Sequence, residues 1–407
     1  MNIAFISYEF PPETGGGGIG TYLELAIKKF NEAGHLAVVF CGTGKTEVKE
    51  EHKNVIRIPS SSWSEFDQNV VEVFRHYHQQ YKFNVIEGTD FQGCGLSVKK
   101  SFPQIPLIVR LHTPLYLVDK ISYQPLPLMA KIRFILGSLR RFKIPKFSSP
   151  PVKNNYKEEF DIIAAADRIS SPSISIYEKL KTVGFSVANK TDIIPLPFDV
   201  NPQLRSIKSR TTLEKKISVV YLGRLEKRKG VIDLADAIPH VLKQYPNVIF
   251  TFVGAPSTSP KNEILMDEYL QEKLINFKKN VRFIGKVPHS DIIDFLQMGD
   301  IFVFPSHYES FGIACCEAMA AGKAIIGSNE GGLAEILNFG ECGLLIAPKQ
   351  PHQISAKINT LIKNDELRLS LGNRARKRLT LMYNCEQILK MQLENYESAI
   401  NSVKNER

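Results

Sequence analysis

Short apolar runs alternate along the chain with longer stretches in which apolar residues recur every three to four positions. The short runs are rich in Val, Ile and Phe with little polar alternation, the pattern of strands covered on both faces. They predict strands over residues 3–7, 37–41, 55–58, 85–87, 107–111, 168–170 and 192–194. A second series follows over 218–222, 248–253, 281–284, 301–304, 324–327 and 343–346. The longer stretches predict helices between them, over 21–33, 65–81, 230–244, 262–276, 291–298 and 314–321. Strand–helix alternation sustained over such a length implies parallel sheets flanked by helices. A proline-containing polar stretch near 195–210 separates the two series, so the reading is α/β with two Rossmann-like doubly wound domains, over 1–198 and 199–382. A last helical pattern over 383–407 is expected to pack back on the first domain.

In sheets of this kind ligands bind beyond the carboxyl ends of the strands. The loop after the first strand holds Gly15, Gly16, Gly17, Gly18 and Gly20 ahead of a helix. Glycines let a ligand approach the backbone, and the free N–H groups of a helix start attract an anion. Gly15, Gly17 and Gly20 also spell a dinucleotide fingerprint, but the second strand runs into Cys41-Gly42-Thr43-Gly44 without the acidic residue that a bound ribose needs. An oxidoreductase is thereby disfavoured. Arg110-Leu111-His112-Thr113-Pro114 ends another strand and sets His112 toward the cleft, as a donor to a substrate hydroxyl or as a satisfied structural histidine.

In the second series, Gly223-Arg224-Leu225-Glu226-Lys227-Arg228-Lys229-Gly230 follows the first strand. Arg224 offers a planar fork and Lys229 a point charge, a pair suited to a pyrophosphate; a basic surface turn is the alternative. Arg224 directly follows the strand and is better placed to face a ligand than Lys227 or Arg228. The stretch from Pro305 to Gly322 is the most specific. Glu309 falls in a loop and Glu317 in the following helix, with the amides of Phe311, Gly312 and Ile313 between them as a helix start ready for phosphate. A carboxylate can accept both hydroxyls of a sugar diol. The layout therefore reads as sugar, diphosphate and ribose in a line. A retaining hydrolase would instead need two carboxylates about 5–5.5 Å apart across one bond, which helix-start amides between them oppose. Asn329-Glu330-Gly331-Gly332-Leu333-Ala334-Glu335 again sets glycines at a strand end.

Charge adds a separate feature. The chain has 407 residues and a net charge of +10. From Lys120 to Lys157 there are nine basic residues and no acidic one, leaving 43 basic against 42 acidic elsewhere. Met129, Ile132, Phe134, Ile135, Leu136 and Leu139 are interleaved with those charges, as in an interfacial helix; a solvated basic helix over a core edge is the alternative. No zinc-finger or RNA-recognition pattern is present, so nucleic acid is not an expected partner. Six cysteines, without any Cys-x-x-Cys, disfavour a zinc site or a disulfide framework and suit a reducing cytosol. The first ten residues lack the basic start of a signal peptide, and no run approaches the roughly 18 apolar residues of a membrane span.

Taken together, these motifs resemble the retaining nucleotide-sugar glycosyltransferases of GT-B fold, family 4 (glycosyl transferases group 1). The resemblance covers nearly the whole chain, is strongest over 221–345 and weakest over 115–155. It implies two Rossmann-like domains facing a central cleft. Transfer would move a hexose or N-acetylhexosamine from a nucleotide-diphosphate sugar, expected to be UDP-linked, to a glycan or lipid-linked glycan acceptor, with retention and without a metal or other cofactor. It implies that Glu317 binds the donor ribose and that Glu309 contacts the transferred sugar beside its anomeric carbon. Ser310, Phe311, Gly312 and Ile313 would cradle sugar and diphosphate. Arg224 and Lys229 would neutralise the departing diphosphate, and Gly17 and Gly18 would approach its β-phosphate. His112 would lie near the sugar's primary hydroxyl and the acceptor, and Lys286 and Val287 would line the base. The expected location is cytoplasmic, peripheral on the inner membrane face through 120–157. A non-catalytic sugar-nucleotide or lipid-binding protein of the same fold is the alternative. Two departures stand out: the linker motif Pro-Asn-Gly-x-Asp is Pro195-Leu196-Pro197-Phe198-Asp199 here, and Cys315-Cys316 falls inside the signature, read as small buried packing.

Overall fold

A computed structural model describes residues 1–15, 17–47, 49–51, 54–123, 129, 132, 135–136, 140, 150–207, 216–261 and 263–405. The first sheet contains β1 (Asn2–Ile6), β2 (Leu36–Thr43), β3 (Lys49–Glu51), β4 (Val55–Pro59), β5 (Val85–Thr89), β6 (Leu107–Arg110), β7 (Arg168–Ser171) and β8 (Thr191–Ile193). Their order is β3-β4-β2-β1-β5-β6-β7-β8. All pairings are parallel except β3 with β4, where Lys49 faces Arg57 and Glu51 faces Val55. The second sheet contains β9 (Ser218–Leu222), β10 (Ile249–Val253), β11 (Val281–Gly285), β12 (Ile301–Phe304), β13 (Ala324–Ser328) and β14 (Leu344–Ile346), in the order β11-β10-β9-β12-β13-β14, all parallel. The expected division at 198/199 falls between β8 and β9.

The apolar runs become strands because helices cover both sheet faces. Every residue of β5, β6, β9, β12 and β13 is buried. In each sheet the chain reverses its direction of winding beside its first strand, between β1 and β5 and between β9 and β12. The splayed loops at such a reversal form the crevice in which doubly wound folds bind ligands. The glycine-rich loop follows β1, the Arg224–Lys229 loop follows β9, and the Glu309 loop follows β12.

The last helix, Cys385–Asn405, lies beside β7 and the helix Gly18–Glu32 of the first domain. Its Gln392 Nε2 donates to Glu87 Oε2 at 2.9 Å, its Tyr396 hydroxyl donates to the same oxygen, and Tyr22 donates to Oε1 at 2.6 Å. One apolar cluster runs from Phe5 and Phe30 of the first domain through Leu389 and Tyr396 to Phe311, Cys315 and Cys316 of the second. All six cysteines are buried, and none is in a disulfide.

Of the basic segment 120–157, residues 124–128, 130–131, 133–134, 137–139 and 141–149 lie outside the described residues. Met129, Ile132, Ile135 and Leu136 are exposed. Among the described residues no helix is long and apolar enough to cross a membrane.

Candidate functional site in the interdomain cleft

The helix Gly18–Glu32 starts three residues before the expected position. Its N-cap is Gly17, which supplies no side-chain hydrogen bond, so the first N–H groups stay available. The loop before it is anchored: Thr14 Oγ1 donates to the Tyr8 carbonyl at 2.7 Å, and Lys45 pairs with Glu13 at 2.7 Å. A carbon added to Gly18 would lie 3.7 Å from Ile313 Cδ1, whereas one on Gly17 would meet nothing within 4 Å. The two glycines therefore stand at the second domain's edge, Gly18 against Ile313 and Gly17 facing open space.

Opposite them, the loops after β9 and β12 are laced together. The His307 N–H donates to the Arg228 carbonyl at 2.7 Å, and Arg228 Nη1 donates to the Tyr308 carbonyl at 3.0 Å. Glu226 holds Arg228 at 2.6 Å and lies 3.5 Å from Arg224. The bracing places the Lys229 ammonium on Glu309 as an ion pair. Burial alone pushes the Glu309 carboxyl up, but Lys229, Arg228 and Arg224 together outweigh it and hold the group below its usual range, so Glu309 is a carboxylate at neutral pH. Burial also lowers the Lys229 ammonium, with Glu309 opposing that shift. Arg224 is 62 % exposed, and its charge acts on Glu9 across the cleft, whose carboxyl burial raises against that pull.

The fifth loop fixes the Glu309 backbone. Gly332 N–H donates to the Glu309 carbonyl at 2.7 Å, and at Gly331 (φ +78°) an added carbon would come within 2.1 Å of that oxygen. The helix Ile313–Ala320 then begins at Gly312, whose φ of +113° and closeness to Leu333 (2.6 Å from an added carbon) admit no side chain comfortably. Phe311 buries its ring edge-on against Tyr383, centroids 5.7 Å apart, so only its backbone is left for the cleft. The Ser310 carbonyl accepts from Ser173 of the first domain at 2.8 Å. Glu317 is buried one turn into the helix, and His289 Nε2 lies 2.7 Å from its Oε1. That hydrogen bond raises the His289 imidazole above its ordinary value.

His112 lies on the first-domain wall, its ring 5.5 Å from that of Tyr22 and its backbone N–H donating to Asp90 Oδ1 at 2.8 Å. Burial, helped by Arg110, pushes its imidazole down to about 3, so it is neutral. Its buried Nε2 has no hydrogen-bond partner among the described residues, an unmet polar atom of the kind a ligand hydroxyl satisfies. Lys286 and Val287 follow β11; Lys286 is exposed and Val287 packs on the shared apolar cluster. The contacts thus join Lys229, Glu309, Ser310, Gly312, Ile313 and Gly18, with Arg224 at the edge. They do not join His112 or Lys286 directly to that set. Among the described residues no three His, Cys, Asp or Glu side chains gather as a metal-binding group.

Sequence reasoning missed three residues. His289 faces Glu317 from a strand-end loop, the one signal that marked it. Arg228 is a brace turned inward. Glu335 accepts from Ile174 N–H (2.9 Å) and Ser175 N–H (2.7 Å), capping a first-domain helix from the second domain. Its position after the Gly331-Gly332 pair was visible, its target was not.

Two doubly wound sheets meeting at their switch points, with an ion pair and a helix N-terminus on one wall and glycines on the other, define a GT-B protein. Residues 203–378 match the model of the glycosyl transferases group 1. The chain is 29 % identical over 181 residues to glycogen synthase of Mycobacterium tuberculosis, a stretch covering 44 % of this chain and 42 % of that relative. It is 25 % identical over 405 residues to spore coat protein SA of Bacillus subtilis, covering 98 % and 99 % of the two chains. Anabaena HepE in complex with UDP-glucose has the same fold, with a TM-score of 0.70 over 98 % of this chain and 100 % of that one at 19 % identity.

Proposed function

We propose that the chain is a retaining glycosyltransferase that moves a hexose or N-acetylhexosamine from a UDP-sugar to a glycan or lipid-linked glycan acceptor. The Lys229–Glu309 ion pair beside the Gly312-started helix carries this reading. It sets a cation for a departing diphosphate and a carboxylate for the sugar on one wall, opposite backbone that can approach the phosphates.

In this reading the base lies by Lys286 and Val287, the ribose on Glu317, the diphosphate among Arg224, Lys229 and the Gly17–Gly18 amides, and the sugar on Glu309, Ser310, Phe311, Gly312 and Ile313. The bond from the anomeric carbon to the diphosphate breaks, the acceptor oxygen forms its bond on the same face, and the acceptor proton passes to the departing diphosphate. Arg224, Lys229 and the helix amides stabilise the charge that develops, as preorganised donors do. Glu309, held ionised, supports the oxocarbenium-like carbon. Neutral His112 offers its free Nε2 to a sugar or acceptor hydroxyl. No metal is required by this charge balance. UDP-glucose in the HepE structure supports the choice of donor. Exposed Met129, Ile132, Ile135 and Leu136 support a peripheral place on an anionic cytoplasmic membrane face.

The test is a screen for nucleotide release from UDP-, GDP- and ADP-glucose by the full chain. Release from UDP-glucose is expected. Binding of UDP-glucose with no release from any donor, with or without acceptor, would favour the non-catalytic alternative.

A further inference from the structure

His289 touches the donor wall, and the transfer chemistry above gives it no task. It opens the short turn His289–Asp291, just past Val287, in the loop that follows edge strand β11. Its side chain is 75 % exposed, yet its Nε2 lies 2.7 Å from Oε1 of Glu317, which is 7 % exposed on the helix Ile313–Ala320. Among the described residues no other group hydrogen-bonds the Glu317 carboxylate, so Oε2 is left without a partner there. The helix Gly18–Glu32 brings a second carboxylate toward the same imidazole from the first domain. Burial raises the carboxyl of Glu24 on that helix, and His289 and Arg57 pull it back down. Asp291, in the same turn as His289, accepts from the Ser290 hydroxyl at 2.7 Å. The charged groups that act on His289 are therefore Glu317 of its own domain and Glu24 of the other.

The chemistry of a ribose says what this arrangement does. Its two hydroxyls are donors at a fixed spacing, and a carboxylate takes both only when its plane is turned to them. The terminal torsion of a free glutamate is broad, so an unpinned Glu317 would have to be ordered by the ligand itself. His289 sets that plane in advance by holding Oε1. An oxygen that already accepts one hydrogen bond keeps a lone pair for another, so Oε1 and Oε2 can still receive the diol together.

We propose that His289 is a positioning residue for the donor, which fixes Glu317 for the 2′- and 3′-hydroxyls of the nucleotide ribose and links that grip to Glu24 of the first domain. The inference rests on the donor reading for the place of the ribose. It gives the affinity for a ribonucleotide sugar a pH dependence of one sign. The hydrogen bond to Glu317 raises the imidazole above 6.5, with Glu24 adding to it. The charge-assisted bond is therefore complete below 6.5 and weakens as pH rises through the folded value. Because Glu24 belongs to the first domain, the grip is strongest with the cleft closed.

The experiment is calorimetric titration of the full chain with UDP-glucose and with its 2′-deoxyribose analogue. It is run about 1.5 pH units below and above the His289 midpoint read by NMR. The diphosphate of both probes is esterified at each end and has no proton to lose between them. At the lower pH the ribose form is expected to bind about tenfold or more tightly than the deoxy form. At the higher pH it is expected to lose about fivefold or more of its affinity. His289→Ala should keep its melting temperature, since the side chain is exposed, bind UDP-glucose about tenfold more weakly at the lower pH, and narrow the ribose preference to about threefold or less. The pH dependence should vanish with it. Glu24→Gln should lower the His289 midpoint. A ribose preference or a pH dependence that survives in His289→Ala overturns the proposal and leaves the donor reading standing, and an unmoved midpoint in Glu24→Gln overturns the link between domains. If wild type does not bind UDP-glucose at either pH, the donor reading falls and this inference with it.

Discussion

Replacing Lys229 with alanine removes the ammonium on Glu309 and leaves Arg228 and Arg224 in place. The two side chains are 22 % and 15 % exposed, so water screens the pair only in part. Unit charges about 4 Å apart interact by about 4 kcal/mol at an effective dielectric near 20. Breaking one partner of a fully buried pair costs about 3–5 kcal/mol; the remaining arginines and partial exposure reduce this to about 2–3 kcal/mol here. For a protein with domains of this size that corresponds to a melting temperature lower by about 4–12 °C. The pH dependence has a definite sign. The wild-type Glu309 carboxyl lies below its ordinary value of 4.5, so its contribution is present above 4.5 and is lost as pH falls through the lower folded value. In Lys229→Ala burial is less opposed, the carboxyl rises, and acid destabilisation begins at higher pH. Turnover should fall about 10²–10³-fold if Lys229 is, as proposed, the cation for the leaving diphosphate. Thermal melts from about pH 3 to pH 8 and UDP release at saturating donor measure both effects. Turnover within about threefold of wild type, in a folded variant, would refute the assigned role of this pair.

Three further outcomes follow from the same geometry. Gly312→Ala should destabilise the chain by about 1–3 kcal/mol and weaken donor binding, since its backbone is left-handed and Leu333 occupies the space of a side chain; an unchanged melting temperature and UDP affinity contradict this. The His289 imidazole should titrate above 6.5 by NMR and return toward 6.5 in Glu317→Gln. Its contribution is fully present below 6.5 and lost as pH rises through the folded value, and an unmoved titration in the variant would show the contact is not made. Glu87→Gln should cost about 1–3 kcal/mol in urea unfolding, because a buried carboxylate receives Tyr22, Gln392 and Tyr396 together; an unchanged midpoint would show that the last helix is not tied in there.

The strands were legible because two covered faces demand unbroken apolar runs, as in Ile301–Phe304 and Ala324–Ser328. β3 was not, because Lys49-Glu50-Glu51 is a polar edge segment whose pairing is set by its antiparallel partner β4. The helix after the glycine-rich loop was placed late at 21 because a glycine cap leaves no side-chain signal. The helix expected over 262–276 spans only Met266–Lys273: Thr258 bridges Leu265, which holds the chain extended until that point. In the cleft, Arg224, Lys229, Glu309 and Glu317 could be read because strand-end loops of doubly wound sheets are where chemistry gathers. Their cross-connections could not. The pairing of His289 with Glu317, the inward turn of Arg228 and the reach of Glu335 to a first-domain helix join residues far apart in sequence, and only the closed fold brings them together.

Front-face transfer at the Lys229–Glu309 site is decided by the anomeric configuration of the released sugar. Donor hydrolysis of UDP-α-glucose followed by proton NMR, before mutarotation, should show α-glucose first, with the signal lost in Glu309→Gln. Release of β-glucose, or equal release by the variant, would exclude front-face transfer at this site.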